Sequence, residues 1–335
     1  MNPATNQTSS APEAGALMRC YGGIESDLAQ VEAILKREMS SKFPAVSDIV
    51  SYGYLLGGKR LRPALVLLCG QAWSNVSSDH HKLGAVLEMV HTATLIHDDV
   101  LDGAETRRHL QTIHHRWGTE SSVLVGDFLF THAFYLASTL PTTLAARKIG
   151  QATNVVCEGE LRQITTKGRF DLSEDEYLSI IEAKTAALCE CACELGAIYA
   201  ECPEDAGKQA AEYGRCLGIA FQIVDDLLDI EGDTDQTGKT LGTDLAQRKP
   251  TLPLIHALKV APVATKAKML SVLASEDPAP GQIQAWLEEF DSAAYARETA
   301  IRYVETALAA VSQWPDNDAT AALRQLAEFV LKRCY

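Results

Sequence analysis

HTATLIHDDVLDGAETRR, residues 91–108, sets three aspartates and two arginines directly behind an apolar run. Leu95, Ile96, Val100 and Leu101 recur at helical rather than alternating spacing, so the stretch reads as a helix that stops near Gly103. Asp98 and Asp102 are four residues apart and share one face of it. Two carboxylates about 4 Å apart repel by roughly 4 kcal/mol in a surface-like dielectric. A fold keeps such a pair because it is solvated or because a cation neutralises it. The pattern occurs twice: Asp98-Asp99-Val100-Leu101-Asp102 and Asp225-Asp226-Leu227-Leu228-Asp229 both read DDxxD. The second follows Ile219, Phe221, Ile223 and Val224. Solvated acids seldom sit in such apolar company, so both motifs are candidate cation sites on core helices.

The rest of the chain has the same character. Ala, Leu and Glu recur at helical period and strand signals are scarce. The pattern predicts helices over residues 22–39, 44–57, 61–74, 79–102, 119–139, 142–166, 173–200, 204–231, 250–274, 280–290, 291–313 and 316–333, with edges good to about 2–4 residues. Breaks fall at Pro44, Gly57-Gly58, Pro141, Gly168, Pro203, the Gly232–Gly242 loop, the Pro278–Gly281 stretch and Pro315. Ser173 with Glu176 three residues on forms a capping box. No shift in composition divides the chain. The expectation is an all-α protein, a single large helical bundle over residues 20–335, preceded by a polar, disordered tail at 1–19 that lacks the features of a signal peptide.

Composition narrows the function. Of 335 residues, 30 are Lys or Arg and 44 are Asp or Glu, for a formal charge of −14. That disfavours nucleic acid as a partner, and no polybasic run or apolar span offers a membrane anchor. Nine cysteines are scattered without a CxxC pair, which fits free thiols in a reducing cytoplasm. Cys189, Cys191 and Cys193 suggest a metal site, but residues two apart on a helix point about 200° from each other. Two partial P-loops also fail: Arg60 replaces the Ser or Thr after Gly58-Lys59, and Asp233 replaces the first glycine before Gly238-Lys239-Thr240.

An all-oxygen ligand set indicates Mg²⁺, which keeps waters and shares its site with substrate phosphates. A diphosphate substrate is the natural inference. Cations are placed to meet it: Lys59, Arg60 and Arg62 beside a glycine pair, Arg107-Arg108 just after the first motif, and Lys184, Lys239 and Lys249 near predicted helix ends.

These residues stand in an ordered set: GGKRLRP, HTATLIHDDVLD, Arg107-Arg108, SVLVGDF, Lys184-Thr185, FQIVDDLLD and GKTLGTDLAQRKPTLP. Across roughly residues 20–335 the chain resembles the trans-isoprenyl diphosphate synthases, or polyprenyl synthetases. The resemblance implies the isoprenoid-synthase helical bundle with a central substrate cavity. It implies ionisation of an allylic diphosphate, condensation with isopentenyl diphosphate and loss of a proton. Asp98, Asp102 and Asp225 would hold about three Mg²⁺ ions as Lewis acids, supported by Asp99, Asp226 and Asp229. Arg107, Lys184, Lys239 and Lys249 would complete the allylic clamp. Lys59, Arg62, His91 and Arg108 resemble the metal-free site for isopentenyl diphosphate. Thr185 and Gln222 resemble the groups whose dipoles steady the cation. The family usually has Gly where His109 stands, Pro where Gln111 stands and Gly where Arg248 stands, which puts local loop geometry in question.

Product length follows from the same likeness. Bulky residues at the fourth and fifth positions before the first motif stop growth early in the family; here they are Thr94 and Ala93. The implied product is a long-chain polyprenyl diphosphate of about six to ten isoprene units, like that of bacterial octaprenyl synthases. An ideal helix puts Ala93 about 140° from Asp98, which shifts the wall toward Thr94 and Val90. A farnesyl or geranylgeranyl diphosphate primer, a homodimer and transient membrane contact at product release are also implied. A geranylgeranyl diphosphate synthase and a non-catalytic subunit of a heteromeric synthase are the alternatives.

Overall fold

The computed structural model describes Leu17 and residues 20–231, 243–275 and 280–333. The expected 1–19 tail, apart from Leu17, and the Gly232–Gly242 loop lie outside them. Helices dominate: Glu25–Glu38 (α1), Pro44–Leu55 (α2), Leu61–Gln71 (α3), Ser78–Leu101 (α4), Ile113–Ser138 (α5), Leu144–Thr166 (α6), Glu174–Ile181 (α7), Ala187–Tyr199 (α8), Glu204–Glu231 (α9), Thr243–Ala246 (α10), Leu252–Val260 (α11), Val263–Ala274 (α12), Pro280–Glu289 (α13), Ser292–Ala310 (α14) and Asp318–Lys332 (α15). The expected all-α bundle is the fold observed.

Burial explains the arrangement. Every residue of α3 from Leu61 to Gly70 is buried, and a helix apolar all round belongs at a centre. It packs between α4 and α8, while α9 lies against α8 and α14. One continuous core runs through these helices, and Cys189, Cys191 and Cys193 are buried free thiols within it. A smaller cluster around Leu254, Met269 and Trp286 seals α11, α12 and α13. The predicted capping box stands: Glu176 N–H donates to Ser173 Oγ at 3.2 Å and Ser173 N–H to Glu176 Oε2 at 3.0 Å.

Four local features differ from the sequence expectation. The predicted helix 250–274 breaks at Ala261-Pro262, because Pro262 has no N–H to continue α11. The helix expected from 119 begins at Ile113 and kinks at Gly118, whose φ of 84° is foreign to a helix. The expected helix 173–200 carries a π-turn at Glu182–Ala186 between α7 and α8. A two-stranded antiparallel ribbon, Thr106–Arg107 (β1) with Leu110–Gln111 (β2), follows α4. Its tip is left-handed at Arg108 (φ 52°) and His109 (φ 62°), and Arg248 is likewise left-handed (φ 57°). Two of the three departures from the family pattern therefore stand where the backbone favours glycine.

Candidate active site

The first acidic motif ends α4. Asp98 and Asp102 stay accessible, whereas Asp99 turns inward and is 1% exposed. Burial pushes the Asp99 carboxyl above the ordinary aspartate range. Arg107, on β1, opposes this, with Nε and Nη2 each 2.8 Å from Asp99 Oδ1. Asp99 Oδ2 is buried without a protein partner. Lysines face the other two acids. Lys184 Nζ lies 3.7 Å from Asp98, Lys249 Nζ 3.4 Å and Lys167 Nζ 3.5 Å from Asp102.

Lys184 and Thr185 belong to the π-turn. A π-turn inserts about one residue into a helix and re-aims the side chains around it. The insertion is packed on both sides. A Cβ on Gly159 of α6 would stand 2.8 Å from Lys184 N, and one on Gly218 of α9 would stand 2.6 Å from Ala186 Cα. Lys184 also pairs with Glu160 at 2.8 Å. Burial disfavours its charge, but Asp98 and Glu160 outweigh that and hold its pKa above the ordinary lysine value.

The second motif lies near the end of α9. Asp225 pairs at 2.8 Å with Arg333, just beyond α15, whose guanidinium lies 4.5 Å from the Phe221 ring centroid. Asp226 is buried, and both its oxygens accept hydrogen bonds: Tyr177 Oη donates to Oδ2 at 2.6 Å and Gln222 Nε2 to Oδ1 at 2.8 Å. Burial, followed by the Asp244 charge, pushes its carboxyl up to about 8. Asp229 Oδ2 accepts from the Asp244 N–H at 3.1 Å. Thr185 Oγ1 donates to Gln222 Oε1 at 2.8 Å.

A cavity of about 110 Å³ opens among Tyr177, Lys184, Gln222, Asp226, Asp244 and Lys249. Lys184 and Lys249 thus touch the first motif and border the cavity that the second motif lines. Among the described residues no three ligating side chains converge on one point. The available donors are carboxylate oxygens, several of them accessible. That suits a hard cation that fills its shell with water and substrate oxygens.

A second cationic corner forms where the Gly57-Gly58 turn meets α4 and the ribbon. Arg60 departs from its neighbours: it is left-handed (φ 55°), and its guanidinium lies 2.5 Å from Glu32 and 3.0 Å from buried Glu88. A Cβ on Gly57 would strike it, and one on Gly58 would lie 3.0 Å from Arg108 Nη2. Arg108 donates to the Gly57 carbonyl. Arg62 is 9% exposed and its buried Nε has no protein partner. Tyr21 Oη donates to the Lys59 carbonyl at 3.1 Å. Burial, reinforced by Arg62, Arg108 and Arg107, holds the His91 pKa well below its ordinary value.

The structure brings Asp98, Asp99, Asp102, Lys184 and Lys249 together, and Thr185, Gln222 and Asp226 together. Ala93 is fully buried in the core and Thr94 is half-buried, its Oγ1 donating to the His91 carbonyl at 2.7 Å. Lys239 lies outside the described residues. Sequence reasoning passed over Glu160, Lys167, Tyr177 and Arg333. Tyr177 carries a weak signal, a phenol seven residues before Lys184 on an apolar helix; the other three look like ordinary surface charges.

The profile of the family described as Polyprenyl synthetase matches residues 44–290. The chain belongs to the polyprenyl synthetase family. It is 35% identical over 310 residues to the octaprenyl diphosphate synthase of Escherichia coli (strain K12), which covers 92% of this chain and 96% of that one. Among solved structures it superposes on a decaprenyl diphosphate synthase from Rhodobacter capsulatus with a TM-score of 0.90 at 36% identity, covering 95% of this chain and 99% of the other. A polyprenyl synthase from Caulobacter crescentus CB15, complexed with calcium and isoprenyl diphosphate, superposes with a TM-score of 0.87 at 33% identity, covering 99% and 100%. This polyprenyl synthetase is a trans-prenyltransferase enzyme. Among its described residues, no helix is long and apolar enough to cross a membrane.

Proposed function

We propose that the chain is a Mg²⁺-dependent synthase that extends an allylic diphosphate, farnesyl or geranylgeranyl, with isopentenyl diphosphate to a long all-trans polyprenyl diphosphate. The observation that carries this is the position of Lys184 and Lys249. Each stands within 4 Å of the first acidic motif, at 3.7 and 3.4 Å, while bordering the cavity beside the second. A diphosphate there meets two ammonium groups and two sets of carboxylates. Only with divalent cations is that set attractive to an anion.

Asp98, Asp102 and Asp225 would hold the ions, with Asp99, Asp226 and Asp229 behind them. Bound Mg²⁺ would supply Lewis-acid neutralisation of the leaving diphosphate. Lys184, Lys249, Arg107 and Lys239 bind phosphate oxygens. Thr185 and Gln222 present fixed dipoles where positive charge develops on the allyl group. Lys59, Arg62 and Arg108 bind the second diphosphate beside His91. The small side chains at Ala93 and Thr94 fit a product of about six to ten isoprene units, as the likeness to the family implies.

The working form we propose is a cytoplasmic homodimer. Val123 (39% exposed), Leu124 (67%) and Tyr135 (65%) on α5, with Leu161 (63%) and Ile164 (43%) on α6, are exposed apolar side chains that a second copy would cover. The bundle over residues 20–335 is proposed to act as one domain.

Purified protein incubated with farnesyl diphosphate, labelled isopentenyl diphosphate and Mg²⁺ tests the reading, with EDTA as control. A metal-dependent ladder ending in long polyprenols is expected. A stop at the geranylgeranyl stage refutes the chain length, and equal turnover in EDTA refutes the metal. In the same assay Ala93→Phe is expected to shorten the products.

A further inference from the structure

Tyr177 and Thr185 are eight residues apart, a separation that on a regular α-helix turns about 800°, leaving them about 80° apart around the axis. The π-turn between them takes up about one residue, and the remaining seven steps bring the two side chains to about 20° of one another. Both therefore face α9. There Gln222 and Asp226 are four residues apart and share a face. The four side chains form one chain of hydrogen bonds: Tyr177 to Asp226 at 2.6 Å, Gln222 to Asp226 at 2.8 Å and Thr185 to Gln222 at 2.8 Å.

The chain has a direction. With the Asp226 carboxyl ionised both its oxygens accept, so the Gln222 amide turns its N–H toward Asp226 and its Oε1 toward Thr185. Oε1 can only accept, which fixes the Thr185 proton on Gln222 and leaves the lone pairs of half-buried Thr185 for the substrate. With the amide reversed, Nε2 would donate to Thr185 and the hydroxyl proton would turn toward the substrate, repelling a developing positive charge. Tyr177 is 4% exposed and anchors the far end. We propose that Tyr177 is a positioning residue, whose hydroxyl locks Asp226 and through it the orientation of Gln222 and Thr185 toward the reacting allyl group. This rests on the synthase reading above.

The test is a double-mutant cycle on the full chain. Tyr177→Phe keeps the ring and removes the hydroxyl. It is expected to lower kcat at least tenfold while the KM for isopentenyl diphosphate changes less than about twofold. Thr185→Val should lower kcat comparably, and adding Tyr177→Phe to it should cost less than about a further twofold. Calorimetric titration of Mg²⁺ with inorganic diphosphate should give the same affinity in wild type and Tyr177→Phe within about twofold. Multiplicative losses in kcat, unchanged kcat in Tyr177→Phe, or a parallel tenfold loss of metal–diphosphate affinity would each overturn the proposal while leaving the synthase reading intact. A wild type that condenses nothing refutes both. If Tyr177→Phe fails to fold, Gln222→Met interrupts the same chain at its centre and must show the same non-additivity with Thr185→Val.

Discussion

Arg107 reaches back to hold Asp99, its Nε and Nη2 each 2.8 Å from the carboxylate Oδ1, so the ribbon after α4 is tied to the helix it follows. Replacing Arg107 with Met leaves a buried carboxylate without its counter-charge. Leaving a buried polar group unsatisfied costs about 1–3 kcal/mol. The urea midpoint should fall with little change in slope. An unchanged midpoint would mean that solvent already reaches Asp99.

The π-turn depends on what it packs against. Gly159→Ala would set a methyl 2.8 Å from Lys184 N and 2.9 Å from Ala183 Cβ. Overpacking of this kind costs about 1–3 kcal/mol. Because the displaced backbone carries Lys184 and Thr185, condensation activity should drop at temperatures where circular dichroism still shows the folded state. Full activity in a folded Gly159→Ala protein would separate the site from the turn.

Backbone strain offers the reverse experiment. His109 and Arg248 hold φ of 62° and 57°, a conformation that costs a side chain about 1–2 kcal/mol. After the extra freedom of glycine in the unfolded chain, His109→Gly should stabilise the protein by roughly 0.5–1 kcal/mol. Arg248→Gly should gain less, since Arg248 Nη2 donates to the Leu273 carbonyl at 3.0 Å. Thermal melts read both; a lower Tm for His109→Gly contradicts the strain.

Acid should weaken the fold through His80, which is fully buried at the start of α4. Ser77 N–H donates to its Nδ1 at 3.1 Å and its Nε2 lies 3.1 Å from the Gly196 carbonyl, so the ring serves as a neutral acceptor and donor. Burial holds its pKa below the ordinary value, and an unfolded histidine titrates near about 6.5. Below that pH the native state binds fewer protons than the unfolded chain. The contribution is complete above about pH 6.5 and is lost as pH falls toward the folded pKa. Urea midpoints at about pH 7.5 and about pH 5.5 should therefore differ, and differ less in His80→Gln.

The sequence made the helices legible because their signals are local: apolar period, Pro and Gly breaks, the Ser173 cap. Both acidic motifs were legible for the same reason, each lying on one helix face. What escaped was whatever depends on contact between distant segments. Nothing near Arg60 announces that Glu32 and Glu88 will draw it away from Lys59 and Arg62. The π-turn at Glu182–Ala186 packs against Gly159 and Gly218 on other helices and leaves no period of its own. Nothing in the sequence around Tyr177 points to its partner, Asp226, 49 residues on.

Arg333 stands at the far end of the chain yet completes the surroundings of Asp225. The second motif thus leans on a residue 108 positions away, and Arg333→Ala would remove both the guanidinium 2.8 Å from Asp225 and the cation over the Phe221 ring.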